Sequence, residues 1–231
     1  MRLLLVASDP MEYGGIVNRM EAHQRSPIPV RWCRSGRLNG HEVVLTANGV
    51  GWKRAAAAVD AGWAAARPDA IVSTGFCGAL DPELQIADVV VGTRVVAADM
   101  EYDALPVRSV RKHAGGVVCS VDHVVQTASE KRALHAAGNT AVEMEAAGVA
   151  SRTEALGAGF FCIRAVTDLA GEDLANDYNR ALRPDGRFGT MRIFRYALTR
   201  PAARLPELIR LRHNCALAAR TLGEFFADCR F

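Results

Sequence analysis

Short apolar runs recur along the chain, and most of them end in a polar or glycine-containing loop. Six runs have the length and continuous apolar character of strands that are buried on both faces. They are residues 2–7, 42–47, 70–74, 88–97, 115–120 and 159–166. Segments rich in Ala or with helical periodicity predict helices over residues 53–67, 129–137 and 145–156. The chain is therefore predicted to alternate strands with helices.

This alternation predicts an α/β fold, a three-layer α/β/α arrangement around a central mixed, largely parallel sheet. Ligands of such sheets bind beyond the carboxyl ends of the strands. The polar segments at those ends are residues 8–12, 75–78, 143–145 and 167–168. No linker separates a second domain, so residues 1–231 are predicted to form one domain. Within it, residues 180–231 are expected to form a basic C-terminal extension of two or three short helices.

Composition narrows the class of protein. Half of the 231 residues are hydrophobic, which excludes a disordered chain. The longest apolar stretches have five or six residues, whereas a membrane-spanning helix needs about 20. The six cysteines include no Cys-x-x-Cys pair and the six histidines lack metal-ligand spacing, so no disulfide scaffold and no metal site are predicted. We expect a cytoplasmic protein with reduced thiols.

The net charge of +3 conceals an asymmetry along the chain. Residues 180–231 contain eleven arginines and four acidic residues. Basic tails are typical of proteins that bind nucleic acids or membrane surfaces. Here the arginines alternate with apolar residues in an amphipathic pattern, without the base-stacking aromatics of a recognised module, so no nucleic acid partner is predicted. A solvated outer face is the favoured interpretation, and a surface that meets anionic lipid is the alternative.

Two glycine clusters follow predicted strands. Residues 48–51, Asn-Gly-Val-Gly, precede a helix and predict a tight turn, with an anion-binding loop as the alternative. Residues 74–80 contain two glycines that allow the backbone to approach a ligand closely. Cys77 lies in this second cluster without a basic neighbour in sequence, and a packed thiol is therefore favoured over a nucleophile.

Carboxylates stand at the polar ends of several strands. Glu143 and Glu145 flank Met144 before a helix of small residues, where they can bind a sugar diol or serve the helix start. Asp168 follows an apolar strand, a position that suits acid–base chemistry or the cap of a following helix. Glu12 follows the first strand and is either a site carboxylate or a surface residue.

Together these segments resemble the nucleoside phosphorylase/nucleosidase superfamily, and the resemblance extends over residues 1–171. Its most specific pieces are Val-Glu-Met-Glu-Ala-Ala at 142–147, Thr-Gly-Phe-Cys-Gly-Ala-Leu at 74–80 and Arg-Ala-Val-Thr-Asp at 164–168. It implies a phosphorylase/hydrolase-like α/β/α fold that cleaves the N-glycosidic bond of a purine nucleoside. The general resemblance suggests adenine nucleosides such as methylthioadenosine or S-adenosylhomocysteine. It also implies a homo-oligomer, either a dimer or a hexamer.

The same resemblance assigns roles to single residues. Asp168 is implied as the acid that protonates purine N7, and Glu12 as the group that orients or activates the attacking water. The implied substrate-binding residues are Glu143, Met144, Glu145, Phe76, Val124 and Val125. Among these, Glu145 would bind the ribose hydroxyls with Met144 against the sugar. Val124 stands where the family has a Phe that stacks on the base.

Hydrolysis and phosphorolysis are the two main alternatives. Bacterial purine phosphorylases have two phosphate-binding Arg residues, and by the resemblance Glu12 and Ser73 stand at their positions. Phe76 stands at the position of the Ser in their glycine loop. A carboxylate would repel the phosphate dianion, so a nucleosidase is favoured. No cofactor is predicted, and phosphate is a co-substrate only if the protein is a phosphorylase.

Two further hypotheses remain open. Phe76 and Val124 motivate a catalytically inactive nucleoside-binding protein built on the same fold. Residues 184–211 resemble, more weakly, the hopanoid-associated phosphorylase-like group, and this resemblance implies release of adenine from an adenosyl-lipid.

Overall fold

Ten strands and seven α-helices form the protein in a computed structural model, which describes residues 1–231. The strands are β1 Arg2–Ala7, β2 Glu21–Arg25, β3 Trp32–Leu38, β4 His41–Ala47, β5 Ala70–Ala79, β6 Val89–Ala97, β7 Met100–Asp103, β8 Ala114–Ser120, β9 Ala141–Glu143 and β10 Gly159–Asp168. The helices are α1 Gly14–Val17, α2 Trp52–Ala66, α3 Ala128–Ala136, α4 Ala146–Ala155, α5 Tyr178–Ala181, α6 Thr190–Ala197 and α7 Pro201–Asp228. A 3₁₀ turn, Pro10–Tyr13, precedes α1.

The central strands β4, β1, β5 and β10 lie side by side and run parallel. Strands β3 and β2 extend the β4 edge in antiparallel pairing, while β6 pairs antiparallel with β10. The parallel strands β6, β8 and β9 then lead back to β5, where Gly78 pairs with Val142. This closure brings residues 143–145, at the carboxyl end of β9, beside the carboxyl-terminal half of β5. The predicted α/β fold with a central mixed sheet is confirmed.

Strand β1 is covered on both faces because successive side chains of a strand point to opposite sides. Leu4 and Val6 pack with the apolar faces of α2 and α4. Leu3 and Leu5 pack on the other side with α1 and α7. Helices therefore cover both faces of the sheet, and the three layers are α/β/α.

The C-terminal segment differs from its prediction. Instead of two or three short helices, it contains the four-residue α5, the eight-residue α6 and one helix, α7, of 28 residues. Pro201 occupies the first turn of α7, where its missing N–H loses no bond, and Pro206 lies inside the helix. The apolar residues Leu222, Phe225 and Phe226 of α7 are buried against the sheet. No helix of the structure combines the length and the apolar character of a membrane span.

Candidate active site

The polar segments at the strand ends meet around one cavity of ≈ 180 Å³. Residues from the loop after β1, from β5, from the β9–α4 junction and from the end of β10 line its walls. All eight residues predicted from the sequence are among them: Glu12, Phe76, Val124, Val125, Glu143, Met144, Glu145 and Asp168. The closure of the sheet between β9 and β5 brings these segments together.

Glu12 is held rigidly at the end of β1. Its Oε2 accepts hydrogen bonds from the Ser8 N–H at 2.8 Å, the Ser8 hydroxyl at 3.0 Å and the Asp9 N–H at 2.8 Å. Its Oε1 accepts one, from the Phe76 N–H at 2.9 Å. Burial raises the pKa of Glu12, and the backbone hydrogen bonds oppose this increase. Oε1 thus keeps a free lone pair for a further donor inside the cavity.

Glycine is required in β5 where Glu12 approaches the strand. Gly75 has φ +130°, and a Cβ at this position would lie 2.4 Å from Glu12 Oε1 and 3.2 Å from Arg164 Nη1. The strand continues through this glycine cluster to Ala79 rather than ending at Thr74 as predicted. The glycines predicted to admit a ligand therefore make room for side chains of the protein itself.

Two neighbouring glutamates have different environments. Glu143 accepts hydrogen bonds from the N–H groups of Glu145 and Ala146 and forms a salt bridge with Arg164. Its side chain is only 1% exposed, so it serves the start of α4 from a buried position rather than from solvent. Glu145 accepts a hydrogen bond from the Gly51 N–H at 2.9 Å. The glycine turn after β4 therefore directs an amide at this carboxylate.

Burial raises the pKa of Glu145 to about 8, and the neighbouring charge of Glu143 contributes. The charge of the Arg164 guanidinium lowers this pKa, with Nη1 at 3.8 Å from Glu145 Oε2. Glu145 is therefore a buried carboxyl that changes protonation near neutral pH.

Arg164, in the middle of β10, is the buried cation of the site. Its side chain is completely buried and its Nη2 donates to the Ser73 hydroxyl at 2.6 Å. Nε and Nη1 have no hydrogen-bond partner in the protein. Nη1 lies beside Glu12 at Gly75, where a Cβ would be 3.2 Å from Nη1 and 2.4 Å from Glu12 Oε1.

Asp168 lies at the end of β10 and is fixed by two groups. Lys131 Nζ donates to its Oδ2 at 2.5 Å, and the Thr167 hydroxyl donates to its Oδ1 at 3.1 Å. Burial raises the pKa of Asp168, while the charge of Lys131 opposes that increase. Gly78 makes room for this carboxylate, because a Cβ there would lie 2.9 Å from Oδ2.

The opposite wall carries the two predicted valines. The Asn179 side chain exchanges two hydrogen bonds with the Val124 backbone, at 2.7 and 2.9 Å, and so ties α5 to the cavity. The backbone N–H and carbonyl of Val125 make no hydrogen bond with the rest of the chain. Phe188, from the C-terminal segment, supplies an aromatic ring to the same cavity.

A larger cavity of ≈ 850 Å³ adjoins the first and shares Glu12, Phe76 and Asp168 with it. Its additional apolar wall includes Leu174 and Tyr178 and, from the C-terminal segment, Ile193, Leu208 and Leu211. We call this space the apolar chamber. Residues 180–231 thus shape the site as well as the third layer of the fold.

Other groups in the site have simpler roles. Cys77 is buried, and burial raises the pKa of its thiol well above the ordinary range, as expected for a packed thiol. No cluster of three or more His, Cys, Asp or Glu side chains is arranged to hold a metal ion. Lys131, Arg164 and Phe188 were not among the predicted site residues. Of these, Arg164 lay in one of the specific motifs of the resemblance, and Phe188 in the more weakly similar residues 184–211.

A closed mixed sheet with buried carboxylates at its strand ends defines an α/β protein with an acidic site for a small molecule. The sequence profile of the phosphorylase superfamily matches residues 2–112 and 98–186. The chain belongs to this superfamily.

Individual relatives agree with this assignment. A 5′-methylthioadenosine/S-adenosylhomocysteine nucleosidase from Geobacillus thermodenitrificans is 28% identical over 207 residues, with 75% of this chain and 86% of that protein covered. The crystal structure of such a nucleosidase from Neisseria meningitidis, in complex with methylthio-immucillin-A, superposes with a TM-score of 0.71 at 21% identity, with 98% of both chains covered. A futalosine hydrolase mutant from Helicobacter pylori gives a TM-score of 0.70 at 16% identity, with 96% of both chains covered.

Proposed function

We propose that the protein hydrolyses the N-glycosidic bond of an adenine nucleoside and releases free adenine. The observation that carries this proposal is the placement of two carboxyl groups with different partners, the buried Glu12 and the partly buried Asp168, in the walls of one cavity. The nucleosidases among the relatives of the chain support the same activity.

Asp168 serves as the general acid for the leaving base. Adenine takes on negative charge as the bond from C1′ to N9 breaks, and a proton on N7 neutralises it. Burial favours the protonated carboxyl of Asp168, as this task requires. The unpaired backbone N–H and carbonyl of Val125 supply a donor and an acceptor for the edge of the base.

Glu12 and Arg164 serve the attacking water. The free lone pair of Glu12 Oε1 takes the proton of the water whose oxygen bonds to C1′, and Arg164 Nη1 donates to that oxygen. The sugar becomes cationic in the transition state, and the carboxylates of Glu12 and Glu145 stabilise that charge. Glu145 also binds the ribose hydroxyls, with Met144 beside it in the cavity wall.

Water suits this site better than phosphate. A phosphate dianion in this cavity would meet the carboxylates of Glu12 and Glu143, which repel it. Arg164, the guanidinium buried beside Glu12, already forms a salt bridge with Glu143. Phosphate as a co-substrate thus belongs to the alternative, a phosphorylase.

The test is the release of adenine from methylthioadenosine by the purified protein in phosphate-free buffer. Asp168→Asn is expected to lower turnover by roughly 10²-fold or more, because general acid catalysis contributes on this scale. Asp99→Asn, at an exposed carboxyl outside the cavity, is the matched control and should leave turnover unchanged. Adenine that appears only with added phosphate would establish a phosphorylase instead. Tight binding of adenine nucleosides without turnover would establish the inactive binding protein.

A second candidate substrate follows from the apolar chamber. Its ≈ 850 Å³ exceed the needs of a methylthio group and open directly onto Asp168 and Glu12. We infer that a nucleoside with a long apolar 5′ substituent, such as an adenosyl-lipid, also fits the site. Leu211→Trp would narrow the chamber, and it should raise KM for long 5′-alkylthioadenosines while leaving KM for methylthioadenosine unchanged. Equal effects on both substrates would exclude the chamber as the binding site of the substituent.

We also propose that the protein is a cytoplasmic homo-oligomer, a dimer or a hexamer. Exposed apolar side chains outside the C-terminal segment, Trp52 and Leu105, support a contact between copies. All six cysteines are unpaired, which suits a reducing compartment. Light scattering of the purified protein tests the assembly, and cell fractionation tests the location.

A further inference from the structure

Helix α6 carries apolar side chains on its outer side that the fold does not cover. Met191 is 70% exposed, Phe194 48% and Leu198 52%. Their spacing of three and four residues places them on one face of the helix. Ile209, near the start of α7, is 73% exposed. A helix face that only contacts water would carry polar side chains at these positions.

Arginines surround this apolar face without compensating charge. Residues 187–212 contain seven arginines and a single acidic residue, Glu207. Glu207 is buried and accepts hydrogen bonds from the Ala175 and Asn176 N–H groups, so it does not offset charge at the surface. Five exposed arginines of this stretch form no salt bridge: Arg192, Arg195 and Arg200, together with Arg187 and Arg212, which also line the apolar chamber. Exposed apolar residues and unpaired cations thus occupy one surface.

We propose that this surface, formed by Met191, Phe194, Leu198 and Ile209 with the five unpaired arginines, docks the protein onto a membrane rich in anionic lipid. Apolar side chains of an amphipathic helix enter the boundary between headgroups and acyl chains, and the neighbouring cations bind the anionic headgroups. We call it the α6 surface. The proposal concerns the surface alone and does not depend on the proposed reaction.

Charge complementarity selects this partner over two others. A second copy of the chain that met the same surface symmetrically would bring two sets of unpaired arginines together, and like charges repel. A nucleic acid would neutralise the arginines but leave Met191, Phe194 and Leu198 without an apolar partner. An anionic bilayer surface satisfies both groups at once.

The α6 surface lies on the same two helices that form a wall of the apolar chamber. Other residues of the same two helices, Thr190, Ile193, Leu208 and Leu211, line the apolar chamber. The helices therefore have apolar side chains toward the chamber and toward the outside. A docked protein would hold the wall of the apolar chamber at the lipid boundary.

Co-sedimentation with vesicles tests the proposal. The wild-type protein should pellet with vesicles of phosphatidylcholine mixed with phosphatidylglycerol, and not with phosphatidylcholine alone. Because screening weakens attraction between exposed charges, binding should fall as salt is raised. No binding to the anionic vesicles at low salt would overturn the proposal.

Paired variants locate the contact on the surface. Met191→Ser with Phe194→Ser should weaken vesicle binding by roughly tenfold or more, because both apolar anchors are lost. Arg192→Gln with Arg195→Gln should weaken binding and reduce its dependence on salt. The matched controls are Met100→Ser with Val110→Ser, and Lys112→Gln with Arg132→Gln, which change equally exposed positions elsewhere. Both controls should bind vesicles as the wild type does.

Other occupants give distinguishable results. Thermal unfolding of each variant, which should match the wild type, shows whether a lost contact reflects a lost fold. Light scattering shows whether Met191→Ser with Phe194→Ser dissociates an oligomer. Dissociation with unchanged vesicle binding would assign the α6 surface to self-association and overturn the membrane proposal.

Discussion

Lys131 Nζ lies 2.5 Å from Asp168 Oδ2, and the lysine side chain is completely buried. The same Nζ donates to the Leu169 carbonyl at 2.8 Å, so the cation is fixed on the side of Asp168 away from solvent. Burial raises the pKa of Asp168 and Lys131 limits that increase. The lysine therefore sets the pH at which the proposed acid loses its proton.

Removal of this cation should move the pH profile of the reaction. In Lys131→Met the neutral carboxyl of Asp168 is favoured more strongly, so its pKa rises. A general acid works in its protonated form, and the alkaline limb of kcat/KM should shift upward by about one pH unit or more. Lys131→Arg keeps the charge and should shift the limb less. An alkaline limb at the wild-type pH in Lys131→Met would show that Lys131 does not tune Asp168.

Gly75 and Gly78 should tolerate no side chain, because two carboxylates occupy the space beside them. In Gly78→Ala the new Cβ would lie 2.9 Å from Asp168 Oδ2 and displace it, and in Gly75→Ala it would collide with Glu12 Oε1 at 2.4 Å. Both variants should lose activity by roughly tenfold or more, since misplacement by a fraction of an ångström disrupts catalytic geometry. Gly115→Ala meets open space and is the control. Wild-type kcat/KM in Gly78→Ala would contradict the assigned position of Asp168.

Arg164 should be essential for stability as well as for activity. Arg164→Met leaves Glu12, Glu143 and Glu145 without their common cation, and breaking a buried pair in this way costs about 3–5 kcal/mol. Glu143→Gln in the same chain removes one uncompensated charge and should restore part of the loss. Urea unfolding of the single and double variants measures both effects. A double variant no more stable than Arg164→Met would argue against charge as the cause.

The sequence was informative wherever a strand is buried on both faces. Strands such as β1 are recognisable in the sequence by their continuous apolar residues. Ligands bind beyond the carboxyl ends of parallel strands, and this rule grouped the polar side chains there into one site. Strand β2 gave no such signal, because all five of its residues, Glu21–Arg25, are exposed. The 28-residue α7, with Pro206 inside it, was likewise not predicted, because short helices were expected in this segment.

The missed site residues share a cause. Lys131 pairs with Asp168 across 37 positions, and Arg164 reaches Ser73 across 91. Local patterns do not encode such pairings, which exist only once the sheet has closed. An arginine inside an apolar strand was the one available signal, since a buried cation requires a buried anion. Phe188 lies in residues 180–231, whose arginines indicated a basic extension outside the site.

The burial of Glu145 in the site makes the stability of the protein depend on pH. Its pKa of about 8 in the folded protein lies above its ordinary value of 4.5, so the folded state binds this proton more tightly than the unfolded chain. As pH rises from about 4.5 to about 8, this carboxyl therefore lowers the stability of the wild type. Glu145→Gln carries no charge, so the Tm difference in its favour should grow by several degrees or more between pH 5 and pH 8.5. The pKa shift corresponds to a few kcal/mol, and about 1 kcal/mol moves Tm by roughly 2–4 °C in a chain of this size. The same variant should lose activity, because the neutral amide cannot stabilise the cationic sugar. Glu154→Gln, at an exposed position of α4, should show neither effect. A Tm difference between Glu145→Gln and the wild type that stays constant with pH would mean that Glu145 is ionised at its ordinary pKa.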